Sequence, residues 1–155
     1  MLFRSLPVVF AAPGRGDPEI APRAAGGARL VWGSPGVDVP ARFGPRSGEA
    51  VIRKPRYGGF HGSGLTEWLR DRGHDRLAVC GLSLAGGVET TIRDAHNRDL
   101  ACILVRDACL CRPIPDVGFG PVSREDVARV TLSVLAQRFA RVMSVEEVRA
   151  ALAIL

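Results

Sequence analysis

Lys54 is the first residue whose type invites chemistry. The chain holds 21 Lys and Arg, and Lys54 is the single lysine among them. GC-rich coding accounts for a surplus of Arg without explaining why one position keeps Lys. An ammonium is a compact point donor whose pKa moves when it is buried, whereas a guanidinium is large, planar and permanently charged. A second candidate is the turn Gly81-Leu-Ser-Leu-Ala-Gly-Gly87, whose backbone N–H groups open a helix and suit an anion or oxyanion. Asp107, at the end of an apolar run, is a third. It reads equally well as a helix or loop cap.

Other polar residues carry less. His61 precedes a helix and fits either a base or substrate donor, or a local hydrogen bond at the helix entry. Tyr57, the only tyrosine, reads more as packing than as chemistry. Ser63 and Ser83 lack a G-x-S-x-G context, so a serine nucleophile does not fit. The glycine turn matches neither the dinucleotide fingerprint nor the phosphate loop with its Lys. Four cysteines (Cys80, Cys102, Cys109 and Cys111) form no C-x-x-C pair and have no neighbouring histidine, which argues against zinc. Cys80 and Cys102 lie in apolar runs and read as small buried hydrophobes, in keeping with a reducing, cytoplasmic setting.

These residues must be positioned by alternating elements. Pro7–Phe10, Ala50–Arg53, Arg76–Gly81, Ala101–Val105 and Arg141–Met143 read as strands. Pro55 stops the strand that delivers Lys54. Ser63 is placed to cap a helix carrying Leu65, Trp68 and Leu69, and a second helix follows the glycine turn with Val88, Thr91, Ile92 and Ala95 inward. Ser123 opens a third, with Val127, Val130, Val134 and Leu135 on one stripe. Ser144 and Glu147 form a capping box for the last, which turns Val148 and Leu152 inward. Between Pro13 and Gly48 lies a Gly-, Pro- and Arg-rich stretch without periodicity, long enough to suggest a functional loop. Strands that alternate with helices and are apolar without alternation predict an α/β domain with a parallel sheet covered on both faces. In such sheets ligands bind beyond the carboxyl ends of the strands, where Lys54, the glycine turn and Asp107 all fall.

The 155 residues suit one domain of ordinary size. With 46% apolar and 24% charged residues, a disordered tail, a fibre and a coiled-coil rod are excluded. No run approaches the roughly 20 apolar residues of a membrane span, and the apolar stretch within Arg4–Ala12 is too short and Pro-interrupted for an export signal. The net charge of +5 is spread along the chain without a basic run, so no nucleic-acid surface is expected.

Residues Lys54-Pro-Arg-Tyr57-Gly-Gly-Phe60-His61-Gly-Ser63-Gly-Leu65, followed by Leu77-Ala-Val-Cys-Gly81, Gly87-Val88, Thr91, Asp94-Ala95 and Val105-Arg-Asp107-Ala108, resemble the isochorismatase family. Trp32–Gly36 and Arg138–Glu147 extend the resemblance to nearly the whole chain. It implies a three-layer α/β/α, Rossmann-like fold over residues 1–155 as a single domain, no cofactor, a small-molecule substrate and a homo-oligomer. In the amidohydrolase members the site resembles an Asp–Lys–Cys triad. Lys54 matches the Lys, and Gly87 stands where the Cys would be. Members that hydrolyse the vinyl ether of isochorismate also have glycine there, because an enol ether needs an acid rather than a nucleophile. The resemblance therefore implies Lys54 as the catalytic residue, with Tyr57, Phe60, His61, Ser83, Gly86 and Gly87 around the substrate, a small acidic metabolite of secondary metabolism.

Two departures stand out. Ser83 and Ala85 replace an aromatic residue and a histidine of the isochorismatases. The family's acidic residue ends a strand upstream of the one matching Pro7–Phe10, and Asp17 and Asp38 lie after it, so the sequence reads as N-terminally truncated. That strand resembles a central one, and without it two neighbours are expected to keep unpaired backbone groups. Three remedies are an upstream start, closure of the flanking strands, or another chain in the gap. The other reading is a catalytically degenerate member acting as a structural or regulatory partner.

Overall fold

The helices that follow Ser63, Ser123 and Ser144 open on backbone amides that donate to those serine side chains, whereas the helix after the glycine turn has Val88 at its start and no side-chain cap. In the computed structural model the described residues are 9–13, for which only the backbone is described, and 44–153. They divide into two units, Met1–Thr66 and Glu67–Leu155.

In the first unit, β1 (Val9–Pro13) and β2 (Ala50–Lys54) form a two-stranded parallel sheet. Its register runs from Val9 opposite Ala50 to Pro13 opposite Lys54. β1 thus extends three residues beyond the predicted Phe10. The residues expected to start it, Pro7 and Val8, lie outside the described residues, as does most of the Pro13–Gly48 stretch. In β2 the burial alternates: Ile52 and Lys54 are buried while Val51 and Arg53 are exposed. The strand is therefore half-solvated among the described residues, not the continuously buried strand that its apolar run predicts. Phe60 and Leu65 join Ile52 in the buried set of this unit.

α1 (Leu65–Arg70) straddles the boundary between the units. Ser63 opens it as expected, its Oγ accepting from the Leu65 amide at 3.2 Å, and Leu65 and Leu69 are its buried positions.

The second unit holds a three-stranded parallel sheet in the order β3 (Arg76–Leu82), β4 (Ala101–Leu110) and β5 (Arg141–Met143). α2 (Glu89–His96), α3 (Arg124–Arg138) and α4 (Val145–Ala153) pack against it. The core includes Leu84, Val88, Ile92, Ala95, Leu104, Val105, Val127, Leu135 and Met143; of the face predicted to turn inward, Val88, Ile92 and Ala95 are buried and Thr91 is half-buried. In α3 the inward stripe is Val127, Thr131 and Leu135, spaced by four. Val130 and Val134 are exposed at 55% and 37%, so the predicted stripe is displaced by part of a turn. The α3 cap forms as expected, the Asp126 amide donating to Ser123 Oγ at 3.0 Å. The α4 capping box also forms: the Ser144 amide donates to Glu147 Oε2, and the Glu147 amide donates to Ser144 Oγ at 3.1 Å. Val148 and Leu152 are only half-buried.

β3 corrects a second expectation. Arg76, Ala78, Cys80 and Leu82 on one face are exposed and the alternate residues half-buried. Cys80 is therefore not the buried hydrophobe its apolar run suggests, whereas Cys102 is. Among the described residues β3 pairs on one side only, with β4, and the two sheets share no ladder.

Candidate functional site

Alternation along β2 turns Lys54 to the same side as Ile52, and Lys54 is 8% exposed. Pro55, which cannot donate to a ladder, turns the chain so that residues 56 and 57 fold back over the ammonium. Lys54 Nζ donates to the Arg56 carbonyl at 3.0 Å and to the Tyr57 carbonyl at 2.8 Å. Burial lowers the Lys54 pKa from its ordinary 10.5, because the charged form loses hydration on leaving water. An ammonium has three donor protons, and two are committed to these carbonyls.

The residues that follow form a turn-rich segment. Gly58 and Gly59 are buried, Phe60 is 4% exposed, and Ser63 Oγ donates to the Gly59 carbonyl. Phe60 therefore anchors the loop by packing. Tyr57 and His61 are exposed, so the Tyr57 ring is not the packing residue that its sequence context suggests.

In the second unit, β3 runs through Leu82, the Leu82–Ser83 peptide bond is cis, and the segment Leu84–Val88 makes one wide helical turn. The Gly86 and Val88 amides both donate to the Ser83 carbonyl, at 3.1 and 3.2 Å. Gly86 leaves helical geometry at φ −147° and ψ −105°. Thr91 Oγ1 donates to the Gly87 carbonyl at 2.6 Å, which ties the turn to α2. Ser83, Gly86 and Gly87 are half-buried, and the Ser83 side chain makes no capping bond.

Asp107 resolves toward its structural reading. β4 runs five residues beyond the predicted Ala101–Val105, through Arg106 and Asp107 to Leu110. Asp107 Oδ1 accepts from the Val145 amide at 2.9 Å, and Arg106 Nη1 pairs with Glu147 Oε2 at 2.8 Å. Both side chains hold the N-terminus of α4, where a carboxylate satisfies an otherwise unpaired amide. Sequence reasoning had no signal for this contact, since its partners lie 38 and 41 residues apart.

Of the residues singled out, Lys54, Tyr57, Phe60 and His61 belong to the first unit, and Ser83, Gly86, Gly87 and Asp107 to the second. The first unit thus offers a parallel strand closed by a buried lysine, and the second a parallel sheet flanked by helices with a glycine turn after β3, an α/β arrangement in the sense the sequence predicts. Residues 4–147 match the isochorismatase domain, and the chain belongs to that family. It is 32% identical over 113 residues to the isochorismatase family protein YecD of Escherichia coli, covering 73% of this chain and 54% of that protein. It is 39% identical over 67 residues to the ureidoacrylate amidohydrolase RutB of Azorhizobium caulinodans, covering 43% of this chain and 30% of that enzyme. The crystal structure of a cysteine hydrolase from Pseudomonas syringae pv. phaseolicola superposes with a TM-score of 0.79 at 37% identity. That match covers 81% of this chain and 59% of that one. The matched region thus spans about half of YecD and under a third of RutB.

Proposed function

We propose that the chain is an isochorismatase-type hydrolase of a small acidic metabolite, acting on a vinyl ether such as that of isochorismate. The observation that carries this reading is Lys54, the only lysine, held as a desolvated cation at the end of β2 by two carbonyls. A cation so placed binds an anionic substrate oxygen and polarises it, and it does so more strongly out of water. Tyr57, Phe60 and His61, which follow Lys54 in the chain, and Ser83, Gly86 and Gly87 in the glycine turn, are the proposed substrate contacts. RutB and the cysteine hydrolase are named for other chemistry, and Gly87 offers no thiol for a covalent intermediate. Vinyl-ether hydrolysis needs none. A proton adds to the vinyl carbon, water adds to the resulting oxocarbenium carbon, and the hemiketal collapses to release the alcohol. We place the protein in the cytoplasm, which its four free cysteines support, and read it as a homo-oligomer.

A second reading, a catalytically degenerate member acting as a structural or regulatory partner, is favoured by one observation. Asp107, the carboxylate at a strand end, is committed to α4. A positioned acid contributes about 10²–10⁴-fold to such a reaction, and the Asp107 carboxylate is engaged with the Val145 amide instead. The test is turnover of isochorismate by the purified 155-residue chain beside Lys54→Ala. Weak turnover that Lys54→Ala removes is expected. No turnover, with isochorismate failing to bind, favours the degenerate reading.

A further inference from the structure

The connection from β4 to α3 is stiff and apolar at once. Ile114 and Val122 pair across it in an antiparallel bridge, their amides donating to each other's carbonyls at 3.0 and 2.9 Å. Inside that bridge Asp116 Oδ1 accepts from the Gly118 amide at 2.8 Å and the Gly120 amide at 2.9 Å. Gly118 and Gly120 sit at φ +104° and +82°, conformations that side chains rarely adopt. The loop so fastened exposes Val117 at 69% and Phe119 at 94%. At its root, Leu82 and Leu110 are partners in the β3–β4 ladder and are exposed at 63% and 65%. Ile114, 41% exposed, follows Leu110 by four residues, a span of at most about 14 Å.

We propose that this loop and the Leu82–Leu110 pair form a self-association surface, on which Phe119 of one copy packs against Leu82 and Leu110 of a second. The inference rests on the homo-oligomeric reading above and assigns it a face. A protruding aromatic and an apolar platform on the same unit are what a twofold interface requires, since each copy must supply both halves. The five exposed side chains offer on the order of 600 Å² per copy, so a symmetric pair buries about 1,200 Å², the lower end of stable interfaces. Apolar area of that order reaches the upper end of the largest patch on a typical monomer, about 300–600 Å², and such patches are often functional. The fastened loop loses little freedom on docking, which lowers the cost of association. Arg112 and Asp116 flank the apolar residues with opposite charges, and Arg112 has no ion pair among the described residues. The loop thus carries both signs of charge, so it offers a second copy attraction as well as repulsion despite the net charge of +5.

Sedimentation velocity of the 155-residue chain, from micromolar to about 100 µM, tests this beside Phe119→Ser, Leu110→Gln and the control Val130→Ser on α3. The expected result is a dimer whose dissociation constant rises at least tenfold with Phe119→Ser and with Leu110→Gln and is unchanged by Val130→Ser. Circular dichroism and thermal melts of Phe119→Ser should match the wild type, because its side chain leaves no core contact behind. A dimer unaffected by Phe119→Ser overturns this surface while leaving the homo-oligomer standing. A wild-type chain monomeric throughout the range overturns both.

Discussion

Replacing Lys54 by Met keeps the volume and length of the side chain and removes the charge. At pH 7 two charge-assisted bonds to the Arg56 and Tyr57 carbonyls are lost. Such bonds contribute about 1.5–3 kcal/mol each, but the variant also escapes desolvating an ammonium, a cost of several kcal/mol. A net loss of about 1–2 kcal/mol follows, since water can reach the half-exposed loop carbonyls. The pH dependence is the sharper signature. Burial lowers the Lys54 pKa in the folded chain below 10.5, whereas in the unfolded chain it keeps the ordinary value. Between those two values the unfolded state binds more protons, so wild-type stability gains with rising pH relative to Lys54→Met. One proton limits that gain to about 1.4 kcal/mol per pH unit. The comparison must be a difference between the two proteins, because burial pushes the Cys102 and Cys109 thiols up to about 11. Raised thiols contribute stability that is lost as pH rises through 11, opposing the lysine, and they cancel in the difference. Urea unfolding of both proteins between pH 7 and 11 reads it directly. A difference that stays constant across that range would refute the desolvated ammonium and, with it, the special role of Lys54.

The displaced stripe of α3 predicts that Leu135→Ala, at a fully buried position, costs about 2–5 kcal/mol, while Val134→Ala, one residue earlier and half-exposed, costs under about 1. Denaturant midpoints of the two variants check it, and equal losses would return the stripe to its predicted place. Bonds from the Ser144 amide and side chain and from Arg106 hold the Glu147 carboxyl down to about 2. Its folded pKa is depressed, so its stabilising effect is present above about 4.5, the ordinary glutamate range, and is lost as pH falls through 2. Acid titration of Glu147→Gln, followed by circular dichroism, should therefore show a shallower loss of stability below pH 4.5 than the wild type.

The sequence by itself determined the element types and most of their ends, because these are set locally. Pro55 stops β2, and Ser63, Ser123, Ser144 and Glu147 cap helices through bonds to amides only two or three residues away. The spacing of Val88, Ile92 and Ala95 prescribes the inward face of α2. The quoted blocks around Lys54 and Gly87 carried the family. Tertiary structure decided everything that depends on partners distant in the chain. Asp107 looked the same in sequence whether aimed at a ligand or at α4, and only packing brought Val145 to it. Cys80 and Cys102 sit in similar apolar runs, yet β4 lies between two strands while β3 is paired on one side among the described residues, so one cysteine is buried and the other exposed. Thr131 took the place predicted for Val130 because the face a helix buries is set by what packs on it, and a threonine methyl fills that space as a valine methyl would. Lys54 was legible as an anomaly of composition. Its burial needed the alternation of β2 and the return of residues 56 and 57 over the ammonium, since a cation leaves water only where fixed carbonyls replace the hydration it gives up.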